Sequence, residues 1–181
     1  PRAHRPGNAI VSVHGSCHGR STGAPCLTGN SPPHSSFEPL PGRVTFVDYG
    51  DVDALRAAVI GETAAVFVEP TLGEGGLVAP PSGFLTAVRE ICDRTGALLV
   101  VDDVRAGFRL ARDCSWSLVD VKPDLSTWGK SFANGHPISA LLGREKARAA
   151  AQSIFVTGSF WFAAAPMAAA IKTPGLIATS D

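Results

Sequence analysis

Two residues in this sequence have the types and setting for carbonyl chemistry. Asp102 ends an apolar run in ALLVVDDVRAGFR, and Lys130 sits on a Gly-flanked turn shortly afterwards in PDLSTWGKSFANGHPISALLG. An unprotonated lysine amine forms a Schiff base with an aldehyde, and an ionised carboxylate keeps a pyridine nitrogen protonated so that the ring can withdraw electrons. The amine must first lose its proton, which requires its ordinary pKa of about 10.4 to be depressed by desolvation or by neighbouring positive charge. Gly129, Ser131 and Ala133 are small, so the backbone around Lys130 can approach a planar ligand closely.

These two side chains need elements to carry them. Ala97 to Val101 is a continuous apolar run, as expected of a parallel strand covered on both faces, so Asp102 falls at its carboxyl end, where open α/β sheets bind ligands. Ala9 to Val13 and Ala64 to Val68 read as further strands, the second ending at Glu69-Pro70. Between them the spacing predicts a Pro/Ser/Gly-rich loop from Cys26 to Gly42 and a short helix from Asp51 to Ile60. Ser82 is the expected N-cap of a helix whose Phe84, Leu85, Val88, Ile91 and Cys92 recur at helical spacing, with Gly96 as its stop. Leu125 to Trp128 and Ile138 to Leu142 read as short strands, followed by a helix from Arg144 and an Ala-rich one from about Phe162. The alternation predicts an α/β fold of βαβ type without internal repeat.

Composition narrows the classes. With 181 residues, 45% of them hydrophobic and 18% charged, the chain is expected to form about one globular domain. Sixteen basic and sixteen acidic side chains cancel, so no field attracts nucleic acid or an acidic membrane. No apolar stretch approaches the roughly 20 residues of a membrane span, and the start lacks a signal-peptide core, so a cytoplasmic location is the default expectation. The four cysteines show no CxxC spacing and are expected as reduced thiols. His14, Cys17 and His18 lie close together, but no fourth ligand has suitable spacing, so no metal is expected. Gly129-Lys130-Ser131 imitates the end of a phosphate-binding loop, yet the pattern's first glycine falls on Asp124, whose charge would repel phosphate.

Six motifs in order carry a more specific signal: GSCHG at 15–19, VEP at 68–70, VDDVRAGFR at 101–109, PDLSTWGK at 123–130, GHPISA at 135–140 and TGSFWFAAAPMAAA at 157–170. With them the chain resembles the class III branch of the fold type I pyridoxal phosphate (PLP)-dependent aminotransferases, above all the glutamate-1-semialdehyde aminomutase-like members. The resemblance implies the major domain of that fold, a mostly parallel sheet flanked by helices. It implies Lys130 as the Schiff-base lysine and proton shuttle, and Asp102 as partner of the pyridine nitrogen. Val104 would pack on one face of the cofactor ring and His18 would line the pocket. Cys17 stands where the family carries a stacking aromatic residue, and Asp103 where it usually has glutamate. Glu69 matches a glutamate that gates the site by pairing with an arginine later in the chain. Ser159 matches a hydroxyl, usually threonine, that binds the cofactor phosphate of the neighbouring subunit of a homodimer.

The family's phosphate cup precedes the region matched by this chain and its small C-terminal domain follows it. Residues 1–181 are therefore expected to be the central part of the PLP-binding major domain. The resemblance implies a small-molecule amino donor and a carbonyl acceptor, and leaves aminotransferase and aminomutase open. The alternative is a non-catalytic fragment or relative that keeps the fold as a binding or assembly module.

Overall fold

The computed structural model describes residues 7–21, 23–29, 42–161 and 163–179. Six strands form one sheet: β1 (Ala9–Val13), β2 (Arg43–Val47), β3 (Thr63–Val68), β4 (Leu98–Asp102), β5 (Leu125–Trp128) and β6 (Ala140–Gly143). Their order is β2-β1-β3-β4-β5-β6, with β1 to β5 mutually parallel and β6 antiparallel to β5. The chain leaves β1 toward β2 on one side and resumes with β3 on the other. That reversal is a topological switch point, and it opens a crevice beyond the carboxyl ends of the central strands.

The two-residue period of the strands separates two faces. Val11, Val13, Val66, Val68, Leu99 and Val101 face the main core, which α1 (Val52–Ala58) and α2 (Phe84–Thr95) complete with Leu55, Phe84, Val88 and Ile91. Each such side chain, fully buried, contributes roughly 1.5–3 kcal/mol. Ala65, Leu98 and Val100, with Phe67 and Leu125, form a smaller cluster on the opposite face. The same period that sends Leu98 and Val100 there carries Asp102 to that face, and Ala65 and Phe67 lead likewise to Glu69. The site therefore grows out of the less covered side of the sheet.

Several boundaries differ from the sequence reading. Ser82 does not cap α2: the N-cap is Gly83 in the left-handed region, with φ of 77°, after a turn closed by Phe84 N–H donating to Pro81 O at 3.1 Å. Glycine takes this conformation without steric cost, so the turn before the helix outweighs serine's capping preference. The strand expected over Ile138 to Leu142 is displaced to Ala140–Gly143. The helix from Arg144 begins as a 3-10 turn at Glu145–Ala147 and becomes α3 (Arg148–Gln152). β2 was not foreseen at all. Most of the loop expected over Cys26 to Gly42, and Phe162 at the expected start of the last helix, lie outside the described residues; that helix, α4, spans Ala164–Thr179.

Candidate active site

Four carboxyl ends supply the site. The loop after β1 brings Cys17 and His18, the end of β3 brings Glu69, the end of β4 brings Asp102, and the turn after β5 brings Lys130. These residues, together with Val104, line one cavity of about 160 Å³.

Asp102 is buried, with 8% of its surface exposed. His18 Nδ1 lies 2.7 Å from Asp102 Oδ2, and Val104 N–H donates to Oδ1 at 3.1 Å. A carboxylate only accepts, so His18 carries the proton on Nδ1. Burial pushes the Asp102 carboxyl up, but the hydrogen bond and charge of His18, followed by the Val104 amide, outweigh it and hold the group below its ordinary value. The arrangement keeps a negative charge on the floor of an apolar strand end.

The loop that delivers His18 is pinned at several points. Ser16 Oγ donates to Val13 O at 2.7 Å, Ser12 Oγ donates to Leu27 O at 2.7 Å, and His18 N–H donates to Thr28 Oγ1 at 3.0 Å. Glu69, 3% exposed, accepts from Cys17 N–H at 2.7 Å with one carboxyl oxygen and from Gly73 N–H at 3.1 Å with the other. Burial raises its pKa despite these two donors. Tyr49 Oη donates to the carbonyls of Glu69 and Pro70 at 3.1 and 3.0 Å, fixing the strand end itself.

Lys130 has a φ of 42°, in the left-handed region, and opens the 3-10 turn Lys130–Ala133 after Gly129. A non-glycine residue held there stores strain, a feature that clusters at functional sites. Gly129 matters for another reason, since a Cβ there would stand 3.3 Å from Val104 Cγ1. Its absence lets Val104 settle beneath the lysine turn. The Lys130 side chain is exposed, so the described residues do not bury it as its expected chemistry requires.

The structure thus brings together six of the seven residues expected from the sequence. Ser159 is the seventh: it lies on an exposed turn and does not line the cavity. Asp103, where the resemblance expects glutamate, makes structural contacts of its own. It is 1% exposed and accepts hydrogen bonds from both the amide and the hydroxyl of Ser115. His14 turns away to stack on Phe46, with ring centroids 5.5 Å apart, and the described residues contain no group of three metal-ligating side chains. No helix among them is long and apolar enough to cross a membrane. Sequence reasoning missed Ser12, Ser16, Thr28 and Tyr49, whose bonds span turns that no periodicity reveals.

A mostly parallel sheet with an acid at one strand's carboxyl end and a lysine on the turn after the next defines the major domain of the fold type I enzymes. The chain belongs to the class III aminotransferases, whose family model matches residues 2–178. It is 50% identical to an aminopentol aminotransferase of Sphingopyxis macrogoltabida, over 97% of this chain and 42% of the relative. An acetylornithine aminotransferase of Mycolicibacterium smegmatis is 48% identical over 74% of the chain and 34% of its own length. Among solved structures, the FumI protein of Sphingopyxis sp. MTA144 in its PLP internal aldimine form superposes with a TM-score of 0.86 at 47% identity, covering 99% of this chain and 43% of that one. The ornithine aminotransferase of Toxoplasma gondii gives a TM-score of 0.88 at 27% identity, over 95% of this chain and 42% of that one. The chain therefore spans less than half the length of the relatives it matches.

Proposed function

We propose that the protein of which this chain forms the central major domain transfers an amino group from a small-molecule donor to a carbonyl acceptor, with PLP as cofactor and Lys130 as its Schiff-base lysine. The observation that carries the proposal is that Lys130 and a buried, ionised Asp102 line the same cavity.

The residues present fit that cofactor. A buried carboxylate held below its ordinary pKa is the counter-ion a protonated ring nitrogen needs, and Lys130 brings a primary amine to the same cavity. Bound there, PLP supplies an aldehyde for Lys130 and an electron-withdrawing ring that stabilises negative charge on the substrate carbon.

The protein's own residues would take the following parts. With PLP bound, Asp102 would hold the ring nitrogen's proton, and His18, by keeping Asp102 ionised, would support that contact. Val104 would support one face of the ring. Cys17, by its motif position, would present a thiol where the family carries a stacking aromatic residue, leaving more room over the ring. Lys130 Nζ would be the base that takes a proton from the substrate carbon and the acid that gives it back. Glu69, by holding the Cys17 and Gly73 amides, positions the loop that carries His18; gating by Glu69 would require it to release those amides.

The relatives' names favour transfer between two molecules over the internal shift of an aminomutase-like enzyme. Ser159 is assigned, by its motif position, to the cofactor phosphate of a second subunit across a homodimer, and a cytoplasmic setting is proposed with it. Adding PLP to the protein should produce a visible absorption band that Lys130→Ala abolishes. An unchanged spectrum would favour the non-catalytic binding module.

A further inference from the structure

Thr127 stands beside Asp102, one strand over. The two are directly paired in the parallel register of β4 and β5, two residues on from the pair Val100 and Leu125. Paired residues on neighbouring strands share a face, and the strands run about 4.8 Å apart, so the Thr127 side chain lies alongside the Asp102 carboxylate. The backbone locks this register, because Asp103 N–H donates to Thr127 O at 3.0 Å.

The rest of that face offers the hydroxyl nothing else. Thr127 is flanked along the chain by Leu125 and Gly129, and across to β6 by its partner Leu141. None of these carries a polar side chain, so Asp102 is the polar neighbour of Thr127 on its face. Thr127 Oγ1 is buried, and among the described residues it completes no hydrogen bond. Buried hydroxyls are nearly always satisfied, so this one calls for a partner. It already helps, after His18 and the Val104 amide, to hold the Asp102 carboxyl below its ordinary value. Hydrogen bonds at reactive sites often tighten only in the complex with the reactants.

The acceptor positions of Asp102 leave room for it. An ionised carboxylate accepts about four hydrogen bonds. Val104 N–H takes one position on Oδ1, and His18 Nδ1–H takes one on Oδ2. The Thr127 hydroxyl fills a third, and one is left for the ring N–H of the cofactor. Other charged groups face Asp102 from further off. They are Glu69 at the end of β3, the adjacent Asp103 and, around the same cavity, Lys130 and the Glu74 carboxylate with Arg105 at 3.1 Å and Arg20 at 3.9 Å.

We propose that Thr127 is a positioning residue: its hydroxyl donates to Asp102 and fixes the rotation at which the carboxylate faces the ring nitrogen of PLP. The part that concerns the ring rests on the amino-transfer reading; the contact between hydroxyl and carboxylate does not.

Two variants separate the hydroxyl from its shape. Thr127→Val keeps the branched side chain without the hydroxyl, and Thr127→Ser keeps the hydroxyl without the methyl group. Carboxyl NMR reads the titration of Asp102 before PLP is added, and the PLP absorption band then reads the affinity for PLP. In Thr127→Val the Asp102 titration should move to higher pH, and PLP should bind roughly threefold to tenfold more weakly, the range for one hydrogen bond. Thr127→Ser should match the wild type in both. An unmoved titration or wild-type PLP affinity in Thr127→Val would overturn the assignment, as would Thr127→Ser behaving like Thr127→Val, the mark of lost packing. A moved titration with no PLP band in the wild-type protein supports the contact and removes the amino-transfer reading.

Discussion

His18 Nδ1 and Asp102 Oδ2 meet at 2.7 Å, although one residue follows β1 and the other ends β4 two strands away in the sheet. The contact keeps Asp102 charged in a setting that would otherwise favour its neutral form. His18→Phe removes the largest contribution opposing burial and leaves the Val104 amide. The Asp102 carboxyl should then titrate at higher pH by carboxyl NMR, and amino transfer should fall by roughly 10–100-fold, the loss of about one charge-assisted bond. An unmoved titration would dissociate His18 from the acid.

Acid stability carries the same signature. Asp102 binds its proton less readily folded than unfolded, so its stabilising contribution is complete above the unfolded carboxyl value near 3.8 and is lost as pH falls from there through the lower folded value. Asp102→Asn should flatten that part of the acid unfolding curve. Glu69 and Asp103 act in the opposite sense: their folded pKa values are raised, so protonation favours the fold as pH falls through them. Glu69→Gln and Asp103→Asn remove that opposing slope, which unfolding curves measured from neutral pH downward can resolve.

Glu69 is a positioning residue. Glu69→Ala leaves the amides of Cys17 and Gly73 without their acceptor, at a cost of roughly 1–3 kcal/mol for each amide that stays buried. The melting temperature should drop, and PLP should bind more weakly because the loop carrying His18 is released. A variant with lower melting temperature but wild-type PLP affinity would show that the loop holds its place without Glu69.

Asp124 anchors the far side of the sheet. Fully buried, it accepts from Leu99 N–H at 2.8 Å and pairs with Arg89 at 3.1 Å and Lys146 at 2.5 Å, tying α2, β4, β5 and the turn after β6 together. Asp124→Ala leaves the largely buried Arg89 without this partner, and breaking a pair of this kind costs roughly 3–5 kcal/mol. Denaturant unfolding measures the loss. A change below about 1 kcal/mol, the level of an exposed pair, would contradict it.

Gly107 tests the packing behind the acid. A Cβ there would stand 2.7 Å from Trp128 Cζ3 and 2.8 Å from Asp103 O, so Gly107→Ala should cost about 1–3 kcal/mol through overpacking. Equal thermal stability in that variant would mean that the indole yields freely.

Most of the sheet was legible because β1, β3 and β4 carry largely apolar runs, which placed Asp102 at a strand end, whereas the short β5, with Ser126 and Thr127 between Leu125 and Trp128, was a weaker signal before Lys130. β2 was not, because Arg43–Val47 is a half-exposed edge strand whose burial alternates and whose side chains form no apolar run. β6 shifted for a related reason: Leu141 and Leu142 are exposed on the opposite edge, so the apolar pattern does not set its limits. Within the site, Cys17, His18, Glu69 and Val104 were recognised through motifs, whereas their connections were hidden. The Glu69 link to the Cys17 amide and the Arg105 link to Glu74 join segments far apart in sequence through single hydrogen bonds, which leave no periodic trace.

Lys130 is proposed as the amine that takes the cofactor. Borohydride reduction of the PLP-treated protein, followed by peptide mass analysis, tests it directly. A phosphopyridoxyl group is expected on the peptide containing Lys130 and none after Lys130→Ala. Label confined to Lys122, Lys146 or Lys172, or no label at all, would contradict it.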